Sequence, residues 1–172
     1  MPSYTIRPAT TKDAKTVADL HLRAFDEIYQ ALVPQEFFKP QNKTESLAYW
    51  RDAIEYGEPQ VLVALEGDTI IGFVGFDRSR DERTKPTVGE LWAMVVEPSH
   101  RGTGAGLALW DAAREGLLDE DCTQVTVWLP LGNERALRFH ELAGFKRELP
   151  SARTVNVNGF RLEEIRLKRA TA

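Results

Sequence analysis

Cysteine is nearly absent from this sequence. Cys122 is the single cysteine among 172 residues, so the chain cannot form an intramolecular disulfide. No apolar run approaches the roughly 20 residues that a membrane-spanning helix needs. The first residues, MPSYTIRPAT, lack a cationic segment followed by an apolar stretch, so they do not read as a signal peptide. These absences predict a cytoplasmic protein without a membrane partner.

Positive charge and histidine are also limited. The chain carries 22 Lys and Arg against 26 Asp and Glu, a net charge of −4, which predicts no nucleic-acid partner. Only three histidines are present, and no group of His, Cys and carboxylates has the spacing of metal ligands, so we predict no metal. No repeat or linker divides the chain. Its length predicts a single domain over residues 1–172.

Hydrophobic periodicity predicts a mixed α/β protein with the element order β-α-α-β-β-β-α-β-α-β-β. The predicted strands cover 4–8, 60–66, 69–77, 87–96, 124–129, 146–157 and 160–166. The predicted helices cover 11–25, 44–56, 105–119 and 133–143, and residues 26–42 read as irregular. The three successive strands at 60–96 exclude a doubly wound nucleotide-binding fold.

Three glycines at alternate positions, Gly102, Gly104 and Gly106, follow an apolar strand and precede a helix. Such a turn directs backbone amides and the positive end of a helix to one point, which suits a phosphate group. The phosphate-binding P-loop pattern is excluded because no Gly-Lys-Ser/Thr follows, and the dinucleotide pattern because Leu107 and Leu109 occupy its last position. From the glycines alone, a turn that only tightens the strand–helix junction remains the alternative.

Two segments resemble the GNAT superfamily of acyl-CoA-dependent N-acetyltransferases. The sequence RGTGAG at 101–106 resembles the R/Q-x-x-G-x-G/A signature, and ELWAMVVEPSHRG before it looks like the family's fourth strand. The sequence NERALRFHELAGF at 133–145 resembles N-x-x-A-x-x-F-Y-x-x-x-G-F. The resemblance implies an α+β fold with a mostly antiparallel central sheet of six to seven strands, about four flanking helices, and splayed fourth and fifth strands.

The resemblance also implies acetyl-CoA as cosubstrate, lying in the gap between the splayed strands. Its pyrophosphate would contact the amides of the glycine turn, and its pantetheine arm would pair with the open edge of the fourth strand, as an added β-strand does. A backbone N–H near Met94 would stabilise the developing oxyanion. The implied cofactor-binding residues are Met94, Val96, Arg101, Gly102, Thr103, Gly104, Ala105, Gly106 and Asn133.

Glu90 is the candidate general base. It lies in an apolar strand, eleven positions before Arg101, where relatives in the histone-modifying branch of the family carry a catalytic glutamate. Apolar neighbours such as Leu91 and Trp92 would desolvate the carboxylate and make it a stronger base. A role through water, a substrate-orienting role and a solvent-facing glutamate remain open.

His140 departs from the family pattern, which has tyrosine at this place as proton donor to the CoA thiolate. A histidine can replace that donor when it is protonated, which makes His140 a candidate acid. The alternative is a partly buried histidine that only shapes the CoA channel.

The acceptor is the least defined part of the prediction. The resemblance implies a pocket built from the first two helices, the loop between them and the last strands, with Tyr29, Phe37 and Trp92 as candidate substrate contacts. We expect a primary amine of a small metabolite, which attacks acetyl-CoA directly in a ternary complex. A peptide or protein amine and a non-catalytic acetyl-CoA-binding module remain the alternatives. The resemblance is compatible with a homodimer.

Overall fold

The computed structural model describes residues 3–149 and 151–172. An eight-stranded sheet forms its centre, with the strand order β1-β2-β3-β4-β5-β8-β6 and with β7 paired to β8. The strands are β1 (Thr5–Pro8), β2 (Gln60–Glu66), β3 (Thr69–Arg78), β4 (Val88–Val96), β5 (Gln124–Pro130), β6 (Lys146–Arg147), β7 (Arg153–Val157) and β8 (Phe160–Ala170). The helices are α1 (Ala14–Leu32), α2 (Lys43–Tyr56), α3 (Ala105–Asp119) and α4 (Glu134–Leu142).

The only parallel strand pair in the described part of the sheet is β4–β5, and it is short. It covers three registers, from Val88 opposite Gln124 to Glu90 opposite Thr126. Beyond Glu90 the two strands separate, while β3 continues to pair with β4 as far as Val96. The predicted splay of the fourth and fifth strands is therefore confirmed, and Glu90 lies at its apex.

Helices cover both faces of the sheet. One core cluster joins buried residues of α3 and α4 to β3, β4, β5 and β8. A second cluster joins α1 and α2 to β2 and β3, with Trp50 and Phe73 fully buried at its centre. This arrangement leaves the gap between β4 and β5 bordered by α1 on one face and by α4 on the other.

Several element boundaries differ from the prediction, including the end of β8, which lies at Ala170 rather than residue 166. The two largest differences concern the first long helix and the strand predicted over 146–157. The first long helix does not end at residue 25 but continues to Leu32, and no proline interrupts the chain before Pro34. The predicted strand over 146–157 is divided into the two-residue β6 and β7, and its sequence includes a proline at position 150, a residue without a ladder donor. This division raises the strand count from the expected six to seven to the observed eight.

Candidate active site

Two cavities meet where β4 leaves β5. The first, the turn cavity, has a volume of about 310 Å³ and lies between the end of β4, the glycine turn and α4. The second, the tryptophan cavity, has a volume of about 240 Å³ and lies between α1, β4 and the strands β5, β7 and β8. Both cavities are lined by Ala24, Ile28, Met94, Val95 and Asn133.

The three glycines of the turn are required for two different reasons. Gly102 and Gly104 have φ angles of +74° and +92°, a left-handed conformation that favours glycine. A Cβ at either position would meet no atom within 4 Å, so the space beside them is open. At Gly106, by contrast, a Cβ would lie 3.1 Å from the ring of Phe139, so this glycine allows α4 to pack closely on α3.

The backbone donors of the turn are not used by the described residues. Among the described residues, none accepts a hydrogen bond from the amides of residues 102–106, and no side chain caps α3. The amide of Arg101 differs from the expectation, because it donates to the Pro98 carbonyl at 3.3 Å. Ala105 is buried, so its expected contribution is confined to its backbone. Free amides at a helix start bind phosphate oxygens, and the turn has the donor set for that group.

Arginines add positive charge to the turn cavity. Arg101 and Arg135 both line it, and both lie near Glu27 of α1, at 3.4 and 3.9 Å. The side chain of Thr103 is turned to other partners, because its hydroxyl is hydrogen-bonded to the Tyr4 hydroxyl and the His100 carbonyl. Thr103, like Ala105, does not line the cavity with its side chain.

The open edge of β4 lines both cavities. Met94 and Val96 both line the turn cavity. Their strand pairs with β3 on one side, and the described part of β5 does not pair with β4 beyond Glu90. The backbone groups on this edge are therefore available to an extended ligand such as a pantetheine arm.

Glu90 is buried, and its carboxylate is held by Arg80. Glu90 is only 1% exposed. The backbone N–H of Arg80 donates to Oε1 at 2.9 Å, and Nη2 of the same residue donates to Oε2 at 2.5 Å. Sequence reasoning predicted apolar neighbours and missed this cation. No motif in the sequence marks this pairing, because strand register alone places Asp77, three residues before Arg80, opposite Glu90.

Two arginines lie on two tryptophan rings in the tryptophan cavity. The Arg80 guanidinium carbon is 4.2 Å from the centre of the Trp92 ring, and that of Arg153 is 3.9 Å from the centre of the Trp128 ring. Arg153 also donates through Nε to Glu164 at 2.9 Å. These residues come from four different strands and the loop after β3, and no sequence motif brought them together.

His140 packs in the wall of the turn cavity. Its Nδ1 lies 2.7 Å from the Ala136 carbonyl, so Nδ1 carries the proton and donates it there. No polar atom of the described residues is bonded to the buried Nε2, and the ring packs edge-on against Phe139 and Phe145. Burial lowers the pKa of His140, so the ring is neutral at neutral pH. In this arrangement neither nitrogen presents a proton to the cavity, which favours the channel-shaping alternative over the acid.

The remaining predicted contacts divide between the site and the core. Tyr29 and Trp92 line the tryptophan cavity, as expected of substrate contacts. Phe37 does not line it, because its ring packs 5.7 Å from that of Phe160 in a separate apolar cluster. Asn133 lines both cavities and caps α4, with its Oδ1 accepting from the Ala136 N–H at 3.4 Å.

His21 is a lining residue of the tryptophan cavity that sequence reasoning gave no role. It lies on α1 among Phe25, Trp50 and Phe73. Burial lowers its pKa to about 4, opposed in part by Asp26, so the ring is uncharged at neutral pH.

Neither a membrane helix nor a metal cluster is present in residues 3–149 and 151–172. No helix there is long and apolar enough to cross a bilayer. No group of three or more His, Cys, Asp and Glu side chains there is arranged to hold a metal ion.

Similarity to known proteins agrees with this geometry. Residues 25–145 match the acetyltransferase (GNAT) family. An N-acetyltransferase of Bacillus subtilis, YuaI, is 26% identical over 164 residues, which cover 95% of this chain and 91% of YuaI. The chain spans only 51% of a mycothiol acetyltransferase from Streptomyces coelicolor, which is 27% identical.

A solved structure shares the fold. It is yncA of Salmonella typhimurium, an acetyltransferase with its cofactor acetyl-CoA, at a TM-score of 0.75, 19% identity, and coverage of 98% of this chain and 94% of yncA. From the family match over residues 25–145, the splayed β4 and β5 and the glycine turn before α3, we conclude that the chain belongs to the GNAT family of N-acetyltransferases.

Proposed function

We propose that this protein transfers an acetyl group from acetyl-CoA to a primary amine of a small metabolite while both substrates are bound. The observation that carries the proposal is the meeting of the two cavities at Met94, Val95 and Asn133, beside the point where β4 leaves β5. One cavity has the donors for a phosphate and an open strand edge. The other has charged and aromatic walls suited to a polar acceptor.

The turn cavity fits acetyl-CoA by the chemistry of its residues. The amides of residues 102–106 and the side chains of Arg101 and Arg135 would hold the pyrophosphate. The edge of β4 at Met94 and Val96 would hold the pantetheine arm, and Asn133 would contact it from the other side. Acetyl-CoA supplies an acetyl thioester, whose carbonyl oxygen a backbone N–H near Met94 would stabilise.

The acceptor amine reacts as a free base. Its nitrogen forms a bond to the acetyl carbon as the bond from that carbon to sulfur breaks, and the nitrogen loses a proton while the sulfur ends as a thiol. Glu90 is the proposed proton acceptor, directly or through water. Of its two oxygens, Oε1 accepts one hydrogen bond, from the Arg80 N–H, which leaves a lone pair of that oxygen for a proton.

Direct transfer is supported by the position of the single cysteine. Cys122 is 1% exposed and lines neither cavity, and burial raises the pKa of its thiol. A buried thiol with a raised pKa is a poor nucleophile, so the chain's own cysteine is not suited to carry an acetyl group between substrates.

A thiol-release screen tests the proposal. Acetyl-CoA would be incubated with the protein and with polyamines, aminoglycosides, amino acids or short peptides, and free CoA would be titrated. We expect release with at least one small amine and the acetylated amine in the product mixture. Thermal stabilisation by acetyl-CoA without thiol release from any acceptor would identify a binding module instead, and release with peptides alone would identify a peptide or protein acceptor.

A further inference from the structure

The charged groups of the tryptophan cavity form two ion pairs, and in each pair the arginine is more exposed than the carboxylate. The carboxylates are covered: the side chains of Glu90 and Glu164 are 2% and 11% exposed. The side chains of their partners, Arg80 and Arg153, are 47% and 44% exposed. A molecule that enters this cavity therefore meets guanidinium groups on its accessible walls, with carboxylates behind them.

Each of the two guanidinium groups lies over a tryptophan ring, which restricts its movement. Arg80 lies over Trp92 and Arg153 over Trp128, both within the range in which a cation is attracted to an aromatic face. A planar guanidinium that is already oriented loses little freedom when a planar anion binds to its edge. The two stacks thus present ready donors rather than mobile side chains.

Arg153 has donors left over. It uses Nε for the hydrogen bond to Glu164, and its Nη1 lies 3.9 Å from Asp81, beyond hydrogen-bond distance. Arg80 uses both Nε and Nη2 for Glu90. A guanidinium carries five N–H donors. Both Nη groups of Arg153 therefore lack a hydrogen-bond acceptor among residues 3–149 and 151–172, which makes Arg153 the better anion-binding group.

The other titratable groups near the cavity are uncharged or paired. His21 is uncharged at neutral pH, since burial lowers its pKa to about 4. Asp81 is satisfied by Arg166 at 3.0 Å and by the Trp128 indole N–H at 2.9 Å. The cavity thus offers guanidinium donors on one part of its wall, and the carboxylate of Glu90 at the apex of the strand splay.

We propose that the acceptor is a small amine that also carries a carboxylate, an amino acid in chemical class, and that Arg153 binds this carboxylate on the face of Trp128. The amine then lies toward Met94, where the two cavities meet, and Glu90, which lines the same cavity, takes its proton directly or through water. A polyamine is disfavoured, because its additional positive charges would lie against Arg80 and Arg153. This inference rests on the proposed acetyl transfer for its chemistry, although the binding of the carboxylate is measurable without transfer.

Matched acceptors test the inference. Several amino acids would each be compared with their amide and their decarboxylated amine by calorimetric titration into protein saturated with CoA, and by thiol release from acetyl-CoA. We expect the amino acid to bind about 10- to 100-fold more tightly than its decarboxylated amine, the range of one or two charge-assisted hydrogen bonds. Equal binding of the two, or failure of every amino acid to bind, would overturn the inference.

Variants at Arg153 assign the effect to one residue. Arg153→Gln should abolish the preference for the carboxylate, while Arg153→Lys, which keeps the charge near Glu164, should retain part of it. Arg161→Gln removes an exposed arginine of β8 that lines neither cavity and should change nothing. An Arg153→Gln protein that unfolds at the wild-type temperature and keeps the preference would also overturn the inference. Amino acid binding without thiol release would support it and contradict the acetyl transfer.

Discussion

The Glu90 carboxylate, at the apex of the splay between β4 and β5, lies 2.5 Å from Nη2 of Arg80. The ion pair joins the buried carboxylate of Glu90 to the half-exposed guanidinium of Arg80, which also lies over the ring of Trp92. A buried carboxylate is costly unless it is paired and hydrogen-bonded, and Arg80 supplies three donors to it. The pair therefore stabilises the local fold and fixes the position of the proposed proton acceptor.

Separate substitutions should separate these two roles. Arg80→Met should lower the free energy of unfolding by roughly 1–3 kcal/mol, because it leaves the buried carboxylate with only the backbone donor. The double variant Arg80→Met with Glu90→Gln should recover much of that loss. Chemical denaturation of the four proteins measures the coupling, and strictly additive effects would show that the ion pair does not contribute to stability.

Glu90→Gln should reduce kcat by roughly 10²-fold, the range of a general base, and leave the affinity for acetyl-CoA unchanged. The loss should be largest at low pH, where the acceptor ammonium is hardest to deprotonate. Glu163→Gln, at an exposed position of β8, is the matched control and should behave as wild type. Near wild-type turnover of Glu90→Gln across the pH range would remove Glu90 from the mechanism.

We expect turnover to depend little on the ring nitrogens of His140. Because Nδ1 is bonded to the Ala136 carbonyl and Nε2 is buried, we expect His140→Phe to keep most of its turnover, with an unchanged pH profile. If His140 were the acid, the His140→Phe protein would turn over much more slowly. The His140→Tyr protein would then retain activity, and the falling limb of its pH–rate profile would move toward the higher pKa of a phenol. Steady-state rates over pH for the three proteins decide between the two roles.

Gly104 can be tested with a control for backbone strain. Gly104→Ala adds a Cβ to the open space of the turn cavity at a φ of +92°, and Gly67→Ala adds one at +59° in the β2–β3 turn, also with nothing within 4 Å. Both should lose about 1–2 kcal/mol of stability through the left-handed conformation. Only Gly104→Ala should also lose affinity for acetyl-CoA, measured by calorimetry, and the larger Gly104→Val should abolish binding. Equal affinities in the two alanine variants would contradict the phosphate role of the turn.

The stability of the protein should fall as the pH drops from about 6.5 toward 4. Burial lowers the pKa of His21 to about 4 and also lowers that of His140, so the unfolded chain binds more protons than the folded one in this range. His21 alone should account for about 3 kcal/mol, fully present above pH 6.5 and lost below its folded pKa. His21→Phe should flatten the curve of unfolding free energy against pH. A curve of unchanged slope would show that His21 is not buried as described.

The bounds of α3 and β2 were predictable because local sequence signals mark where these elements begin and end. The helix predicted over 105–119 is α3 to the residue, since the glycine turn marks its start, and β2 also has its predicted bounds of 60–66. The extension of α1 to Leu32 was not predicted, because residues 26–42, rich in proline and aromatic residues, were interpreted as one loop. Residues 26–32 continue the helix and place Tyr29 in the cavity wall.

The chemistry of the candidate site was only partly predictable. Motifs in two segments of the chain identified the glycine turn, Asn133 and Glu90, which all line the two cavities or their junction. The contacts of Arg80 and Arg153 join residues of different strands and loops, and they depend on the strand register of β3 with β4 and of β8 with β5 and β7. Phe37, in the loop between the first two helices, was predicted to contact the substrate. It packs against Phe160 and does not line the cavity.

Direct acetyl transfer between two substrates held in adjoining cavities requires a ternary complex. Initial rates of thiol release would be measured while the concentrations of acetyl-CoA and of the acceptor are varied against each other. We expect intersecting double-reciprocal lines, as for a ternary complex. Parallel lines would indicate an acetylated enzyme and contradict direct transfer.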